Sequence, residues 1–498
     1  MNILFVIFCS VEVTSVILGD SCNQSSNCSD LLLVSGKMCG VTSPSSFTIK
    51  GKPKKCQLDS SFCVDKCGLQ YNGCSYEFCQ DCPPTCLGAT VCSEVECGVK
   101  FDNCYEYYCG TCSGDKACHN NTCQDTKCGD GVCEGKESCS TCPGDCGICN
   151  LYQCNEDNCK LPNCRCATEN TPNNMDPKGL PQFILLTIDD AIFETHYTLA
   201  YRPLLTASIK DSRGRTPTIT FYNNNAYTLY NRGSHVMNLG AEIASHTFTH
   251  TSYYGTNFST WFNEYSSSKR FFKALAEVEV RGVRSPKLEW NEDEFTVLKL
   301  LNFRYDASLI ESVYGNTFKK LIWPFTLDYG CPQINDANMK GMLNKRFKGL
   351  WEIPLSDWVD EFGEGIDSMD YKLDGDLLYK YLVYNFERHY NTTKSPFGIY
   401  LHGPWFTPSR VTVLLKFLQE VMEKYTDVFF GTSSDIIDYM TNPITSFEYR
   451  KKPVKKVEDI ECPFGTQKHR CEFSDMTFDT CYICTQERTL MQNLVVRE

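Results

Sequence analysis

The chain has 498 residues, a length that predicts two or three domains rather than one. Hydrophobic residues make up 42% of it and charged residues 22%, which is typical of a folded globular protein and excludes a mainly disordered one. The formal net charge of −13 argues against a general nucleic-acid binder and against a protein held on anionic membranes by charge.

Residues 1–19 have the character of a secretory signal peptide. An apolar run from Ile3 to Cys9 is followed by small residues, although no lysine or arginine precedes it. A buried first strand is the alternative, and it fits less well in front of a region so rich in cysteine. No later apolar run approaches the ~18 residues that span a bilayer, so no transmembrane segment is expected. N-glycosylation sequons occur at Asn23, Asn27, Asn120, Asn257 and Asn391. They agree with a secreted glycoprotein of the extracellular space or of a cell or cyst wall.

The 33 cysteines are concentrated in the first third of the chain, with 27 of them in the range Cys22–Cys166. Disulfides explain this distribution better than zinc knuckles, because few histidines lie near the C-x-x-C pairs. The unit Cys67–Cys82 recurs with a period of 30 residues, and a variant follows at Cys128–Cys146. Units this short need cross-links in place of a large core, so residues 20–153 are predicted to form a small disulfide-rich region.

The aromatic residues of these repeats are candidates for carbohydrate binding, because flat rings can pack against sugar rings. They are Tyr71, Tyr76, Phe78, Phe101, Tyr105, Tyr107 and Tyr108. The alternative is a stapled spacer whose aromatic rings form its own small core, and the sequence leaves both interpretations open.

Apolar runs of strand length alternate with helical stretches from Pro181 to about Pro443. Strands are predicted at 183–188, 217–222, 241–245, 281–284, 303–309, 349–355, 396–401 and 426–430, and helices at 261–279, 291–301, 373–390, 408–425 and 433–441. Repeated strand–helix units predict an α/β fold with a parallel sheet, most simply a (β/α) barrel or a distorted one, with a doubly wound open sheet as the second choice. Residues 444–498 are expected to form a basic linker and a small cysteine-containing tail.

Chemically reactive residues follow the ends of four of these strands. The segments are Thr187–Asp190, Ser245–His250, Arg284–Pro286 and Leu401–Phe406. Barrel enzymes build their active sites from the loops at the carboxyl ends of the strands, so these segments are predicted to form one site.

The residue types indicate a metal-dependent hydrolase. His246 and His250, four residues apart, can present two imidazoles to one ion from a single helical turn, and one carboxylate of Asp189–Asp190 completes the set. Such a site suits zinc, and His and carboxylate ligands also admit Co²⁺, Ni²⁺ or Fe²⁺. The other aspartate is then available as a general base. A zinc peptidase is disfavoured, because the motif lacks the interior glutamate of H-E-x-x-H.

Two further residues complete this chemistry. Arg284 is expected to keep the base ionised and correctly oriented. His402 is placed to protonate a leaving group. Any one of these residues, taken alone, is more simply explained as a helix cap or as a core residue. Their combination favours a catalytic site.

These motifs resemble those of the polysaccharide deacetylases of carbohydrate esterase family four, and within them the chitin deacetylases of the arthropod type. TIDDA at 187–191 is similar to the T-F-D-D-A motif, SHTFTH at 245–250 to H-[ST]-x-x-x-H, RSP at 284–286 to R-x-P, and LHGPWF at 401–406 to the final histidine motif. The segment 159–166 also resembles the C-x-L-P-x-C-x-C stretch that leads into the arthropod catalytic domain. The resemblance spans residues 154–443, the expected catalytic domain.

The resemblance implies a role for each of these residues. Asp189 would be the general base, His402 the general acid and Arg284 the residue that orients Asp189. The implied metal ligands are Asp190, His246 and His250. The implied substrate-binding residues are Leu401 in the acetyl pocket, Lys287 as a backbone N–H donor to the oxyanion, Pro286 and Trp405. The aspartate that supports the acid histidine matches poorly, with Asp357-Trp358 the nearest candidate and Asp306 another.

The function implied is that of a secreted deacetylase, acting with Zn²⁺ or alternatively Co²⁺, that removes N-acetyl groups from chitin to give chitosan and acetate. A monomer is expected. The alternatives are a non-catalytic chitin-binding wall protein and a deacetylase of another N-acetylated glycan. From the cysteine count, Cys331 is expected to pair with one of four cysteines at the end of the cysteine-rich block. These are Cys154, Cys159, Cys164 and Cys166.

Overall fold

A computed structural model describes residues 154–250, 256–312, 320–330, 346–463, 465–472 and 477–482, together with short strands and single residues before residue 154. By its internal contacts the chain divides into two units, Met1–Thr111 with Asn120–Thr122, and Cys112–His119 with Cys123–Glu498. The expected signal peptide, residues 1–19, lies outside the described residues.

The cysteine-rich region contains short antiparallel hairpins. Leu69–Tyr71 pairs with Tyr76–Phe78, and Val99–Phe101 pairs with Glu106–Tyr108. The two hairpins occupy the same positions in successive sequence repeats, so the repeat is also a structural one. Further strand pairs are Leu33–Val34 with Lys37–Met38 and Lys116–His119 with Thr122–Asp125. The described cysteines of this region are disulfide-bonded: Cys97, Cys109, Cys118, Cys123 and Cys142.

The larger unit is organised around one sheet that is mostly parallel. Its strands are β1 (Gln182–Asp189), β2 (Ile219–Asn223), β3 (Glu242–Ser245), β4 (Gly282–Val283), β5 (Tyr305–Asp306), β7 (Phe325–Thr326), β8 (Trp351–Glu352), β10 (Phe397–His402) and β11 (Val428–Phe430), while β6 (Ile310–Glu311) and β9 (Leu355–Ser356) form a separate parallel pair. The order is β7-β8-β5-β4-β3-β2-β1-β10, and β11 also pairs with β1. Only β7 is antiparallel to its neighbour β8.

The strand order supports a distorted (β/α) barrel. From β1 to β5 each parallel strand is added on the same side of its predecessor, as in a barrel, whereas a doubly wound sheet reverses direction at a switch point. The sheet curls into a half-barrel, so the predicted fold class is confirmed. All eight residues of β1 are buried, as expected for a parallel strand covered on both faces.

Helices connect the strands and cover the sheet. They are α1 (Tyr230–Asn238), α2 (Phe258–Ala276), α3 (Glu292–Leu300), α4 (Gly375–Tyr390), α5 (Pro408–Lys424), α6 (Ser433–Thr441) and α7 (Ser446–Tyr449), preceded by short helical turns at Glu194–His196, Tyr197–Tyr201 and Arg202–Leu205. The sequence explains their starts: Asn257 caps α2 through its side chain, and Thr407 followed by Pro408 starts α5. In the described part of the chain, no helix is long and apolar enough to cross a membrane.

The disulfides at the entry to this unit correct one expectation. Cys154 is bonded to Cys166, and Cys159 to Cys164. All four cysteines offered as partners for Cys331 are therefore already paired, and that expectation is wrong. Cys331 itself lies outside the described residues. Local pairing explains the outcome, because cysteines 5 and 12 residues apart close short loops within one segment.

The tail forms a small stapled hairpin on the barrel. Strands β12 (His469–Glu472) and β13 (Thr477–Thr480) are antiparallel, and Cys462 is bonded to Cys481. Phe478 packs on Tyr230 of α1 with ring centroids 5.0 Å apart. The hairpin therefore has an anchor on the barrel as well as its own cross-link.

Candidate active site

The four polar segments lie at one edge of the sheet. His402 at the end of β10 is directly opposite Asp189 at the end of β1, and Asn223 of β2 is opposite Ser245 of β3. Ser245 is in turn opposite Val283, the residue before Arg284. Parallel register alone therefore brings together loops that are more than 200 residues apart in sequence.

Asp190, His246 and His250 form a cluster that can hold a metal ion. Each offers a ligand atom, and these three atoms lie within 4.8 Å of one another. Oδ1 of Asp190 is 2.9 Å from Nε2 of His250 and 3.8 Å from Nε2 of His246. Burial would raise the pKa of Asp190, but the contact with His250 and the charge of His246 outweigh it and lower that pKa. An ionised carboxylate is the form that binds a cation.

The surroundings of His246 fit a metal ligand. Its Nδ1 lies 2.7 Å from the carbonyl oxygen of Arg284 and donates to it, which leaves the lone pair of Nε2 facing the cluster. Burial lowers the pKa of His246 to about 4, so the ring is neutral, as a ligand must be. Nε2 is buried and makes no hydrogen bond within the described residues. A buried nitrogen without a partner beside a carboxylate and a second imidazole suits a bound cation.

The loop that carries the two histidines is not a helical turn. Thr247 and His250 both have positive φ angles, 61° and 60°, and the chain bends at Phe248 and Thr249. The expectation of one helical turn was therefore wrong, because two left-handed residues break the α conformation. The bend still places the two rings with their centroids 5.0 Å apart.

Glu264 of α2 holds this bend in place, and sequence analysis missed it. Its Oε2 accepts hydrogen bonds from the backbone N–H groups of Phe248 and Thr249 at 2.7 and 2.9 Å. Its Oε1 accepts from the Thr249 hydroxyl at 3.0 Å. One carboxylate thus binds the segment between the two histidines. The only sequence signal was an acidic residue on the helix that follows the motif.

Asp190 adopts a conformation that needs outside support. Its φ is +79°, a region that residues with a side chain rarely occupy. The side-chain amide of Asn223 donates to the Asp190 carbonyl oxygen at 2.8 Å and fixes this backbone. This left-handed conformation explains how two adjacent aspartates contact different groups. Asp189 is paired with Arg284, whereas Asp190 contacts the histidines.

Asp189 and Arg284 form a buried ion pair. Asp189 is only 2% exposed and Arg284 1%. The guanidinium donates to Asp189 Oδ1 at 2.7 Å, and it also donates to the Thr187 hydroxyl and the Ala307 carbonyl. Its cation lies 4.0 Å from the ring centroid of Tyr222. These contacts fix the position of the Arg284 guanidinium, and the guanidinium in turn fixes the position of Oδ1 of Asp189.

His402 is supported by Asp370, which sequence analysis did not identify. Nδ1 of His402 lies 2.6 Å from Oδ2 of Asp370, and its backbone N–H donates to Oδ1 at 2.8 Å. Burial alone would lower the pKa of His402, but this hydrogen bond and the charges of Asp189 and Asp190 raise it to about 9. His402 is therefore protonated at neutral pH.

The two aspartates expected in this supporting role are not in it. Asp306 lies on β5 and accepts hydrogen bonds from Ser308, and the backbone carbonyl of Asp357 accepts from Arg388. The tryptophan of the expected pair does take part, because the Trp358 ring stacks on Tyr371, the neighbour of Asp370, at 3.5 Å. The support of His402 therefore comes from residues at two ends of one loop. No local sequence motif contains both of them.

The expected substrate-binding residues lie beside these groups. Leu401 and Pro286 are buried, and Trp405 is 5% exposed with its indole N–H donating to the Tyr371 carbonyl. Lys287 has a φ of +58° and a solvent-exposed side chain. Its left-handed backbone turns the chain sharply just after Pro286.

Comparison with known proteins identifies relatives. Over 319 residues the chain is 28% identical to chitin deacetylase 8 of Bombyx mori, a match that covers 61% of this chain and 81% of that protein. Over 408 residues it is 26% identical to chitin deacetylase 1 of the same organism, covering 74% of each. No family model matches the chain. The resemblance to arthropod-type chitin deacetylases is confirmed by these relatives.

Solved structures show weaker likeness. A polysaccharide deacetylase from Mycobacterium smegmatis is 19% identical, with 59% of this chain and 99% of the other covered and a TM-score of 0.38. A family 4 carbohydrate esterase from Streptomyces lividans, in complex with acetate, is 13% identical, with 50% and 92% covered and a TM-score of 0.30.

Proposed function

We propose that this relative of the arthropod chitin deacetylases is a secreted, metal-dependent hydrolase that removes N-acetyl groups from chitin, leaving chitosan and acetate. One observation carries the proposal. The candidate base, Asp189, ends β1 and is paired with a buried arginine. The candidate acid, His402, ends the neighbouring strand β10 and is paired with a carboxylate. Both lie next to the Asp–His–His cluster. A general base, a general acid and a metal ion together are a sufficient set for hydrolysis of an unactivated amide.

Asp190, His246 and His250 would hold the metal ion. A three-ligand set of two imidazoles and one carboxylate leaves coordination positions open and suits Zn²⁺, with Co²⁺ as the alternative. When bound, the ion supplies a Lewis acid that polarises the acetamide carbonyl and eases ionisation of the attacking water. Asn223 and Glu264 hold the backbone of the ligand loops in their left-handed conformations.

Asp189 would act as the general base. Arg284 occupies its Oδ1, so its other oxygen is the one available to take a proton from water. Because the arginine is buried and contacts three other groups, it sets the orientation of the Asp189 carboxylate.

His402 would act as the general acid. It enters the reaction protonated, since Asp370 raises its pKa, and it donates its Nε2 proton to the departing amine. Nδ1 stays bonded to Asp370, which fixes the ring and stabilises its charge.

The remaining residues would bind the acetyl group and the oxyanion. The backbone N–H of Lys287 would donate to the developing negative charge, as a fixed backbone dipole that needs no reorganisation. Leu401 and Trp405 would enclose the acetyl methyl, with Pro286 fixing the turn before Lys287.

Release of acetate from chitin oligomers, with and without a chelator, tests the proposal. We expect release by the purified protein, its loss on chelation, and its return on addition of Zn²⁺, with the oligomer length unchanged. Binding of oligomers without acetate release at any metal supplement would instead support the non-catalytic alternative. Release from other N-acetylated glycans at a higher kcat/KM would assign a different substrate.

Replacing Asp370 by asparagine should shift the pH dependence of turnover. The Asp370 hydrogen bond is the largest effect that raises the pKa of His402, so without it that pKa falls back toward the ordinary value near 6.5. A raised pKa means that the acid form persists at neutral pH and is lost as the pH rises through about 9. The descending limb of kcat should therefore lie near pH 9 in the native enzyme and about 1–2 pH units lower in Asp370→Asn.

The matched control for this experiment is Asp376→Asn, which changes an exposed carboxylate in the first turn of α4. Its kcat profile should overlie that of the native enzyme. An alkaline limb that stays in place in Asp370→Asn would show that His402 is not the proton donor.

Replacing Glu264 by glutamine should weaken metal binding. The neutral amide accepts the loop N–H groups less strongly, and its NH₂ group faces one of the donors now bonded to Glu264. Loss of such a supporting contact typically costs ~10–100-fold in metal affinity. Calorimetric titration of the metal-free protein with zinc measures the change in zinc affinity. Glu279→Gln, at an exposed position just before β4, is the control and should bind zinc like the native protein.

A further inference from the structure

Tyr227 combines solvent exposure with a strained backbone. Its side chain is 71% exposed and its φ is +65°. A bulky residue at positive φ costs conformational free energy, and glycine or asparagine would adopt it more easily. An exposed ring gains little packing in return. This combination favours a role for the ring in binding, because strain of this kind concentrates at functional sites.

The loop of Tyr227 is tied to the candidate active site. It follows β2, and the N–H groups of Asn225 and Ala226 both donate to the carbonyl oxygen of Phe248, which lies between His246 and His250. On the other side of Tyr227, the Thr228 hydroxyl accepts a hydrogen bond from the backbone N–H of Ile192 at 3.1 Å. The Leu229 N–H donates to the Ile192 carbonyl. Tyr227 therefore lies at the apex of a loop held between the Asp190 segment and the histidine segment.

A second exposed aromatic residue lies on the neighbouring loop. Phe193 follows Ile192 after β1 and is 42% exposed. Because β1 and β2 are adjacent and parallel, the loops of Phe193 and Tyr227 emerge from the same edge of the sheet. Phe447, which is 63% exposed, is by contrast on α7, whose Tyr449 packs against Phe183 near the start of β1, at the opposite edge.

We propose that the Tyr227 ring is a stacking platform for a pyranose ring of the chitin chain, at the sugar next to the one being deacetylated. This rests on the proposed function and adds a subsite to it. The faces of β-1,4-linked N-acetylglucosamine carry axial C–H groups, which pack on an aromatic face, and the polymer extends beyond a site that reacts with one acetyl group. The rigid loop provides the ring in its binding position before the sugar arrives.

The test compares Tyr227→Asn with Tyr227→Phe. Asparagine tolerates positive φ, so it removes the ring without adding backbone strain, and phenylalanine keeps the ring and removes only the hydroxyl. Kinetics of acetate release are measured on N-acetylglucosamine oligomers of two and of five units, together with zinc content and melting temperature. Phe447→Asn, at the opposite edge, is the exposed-aromatic control.

We expect Tyr227→Asn to raise KM for the longer oligomer about threefold to tenfold, with kcat and zinc content nearly unchanged and a melting temperature that is equal or slightly higher. Tyr227→Phe and Phe447→Asn should behave like the native enzyme. An unchanged KM in Tyr227→Asn would overturn the proposal. A lower melting temperature with lost zinc would also overturn it, by showing that the ring supports the metal loop instead.

Binding of the longer oligomer to the Tyr227 variants, measured by calorimetry in an Asp189→Asn background, separates this inference from the proposed function. Absence of acetate release by the native protein would defeat the proposed function. Weaker binding in Tyr227→Asn would still show that the ring contacts the sugar, and equal binding by Tyr227→Asn and Tyr227→Phe would defeat the platform.

Discussion

Asp189→Asn should lower kcat by ~10²–10⁴-fold and leave the metal content of the protein intact. The amide cannot take a proton from water, so the base is lost. Asp189 is paired with Arg284 and is not a member of the Asp190–His246–His250 cluster, so the cluster keeps all three of its ligands. Steady-state acetate release together with metal analysis of the purified variant gives both quantities.

The adjacent residue provides the control. Asp190→Asn should weaken zinc binding, because Asp190 lies within the ligand cluster, and excess zinc should partly restore its activity. Excess zinc should not restore Asp189→Asn. If zinc rescued Asp189→Asn and had no effect on Asp190→Asn, the two roles would be the reverse of those proposed.

The buried ion pair adds a stability effect to this experiment. Asparagine leaves the Arg284 charge without its carboxylate in a site that is 1% exposed, and breaking a buried pair in this way can cost ~3–5 kcal/mol. A thermal melt of Asp189→Asn is therefore needed beside the kinetics. A variant that is folded at the assay temperature and still binds zinc reports on catalysis and not on folding.

His250→Ala should abolish tight metal binding and activity together. Removing a supporting contact alone costs ~10–100-fold in metal affinity, so removing one of three ligands should cost more than that. Competition with a chromogenic chelator measures the zinc affinity, and acetate release measures the activity. Because His250 is partly exposed, its loss should have little effect on the melting temperature of the metal-free protein.

His469→Ala is a suitable control, since it removes a histidine from the tail hairpin and not from the cluster. It should keep native zinc affinity. Full activity of His250→Ala after metal has been stripped would exclude the metal assignment.

The sequence by itself was sufficient for the fold class and for the candidate residues. Eight apolar runs were placed on strands, and each strand that the structure shows at these positions overlaps its predicted range. This works because a buried parallel strand is a continuous apolar run, as the fully buried β1 shows. Polar residues at strand ends then share one edge by topology, which brings Asp189, His246, Arg284 and His402 together.

Only the tertiary structure decided which groups support these residues. Asp370 contacts His402 from a loop that contains several other acidic residues, and Glu264 reaches the histidine loop from the next helix. Their sequence neighbourhoods carry no periodicity or motif, since a side chain that bonds across a loop is selected by distance in space. The positive φ angles of Asp190 and His250 could not be predicted from the sequence for the same reason. Contacts of these two loops with Asn223 and Glu264 overcome the local preference for other conformations. Local sequence determines where strands begin and end, whereas the partners of a side chain depend on chain segments that only folding brings together.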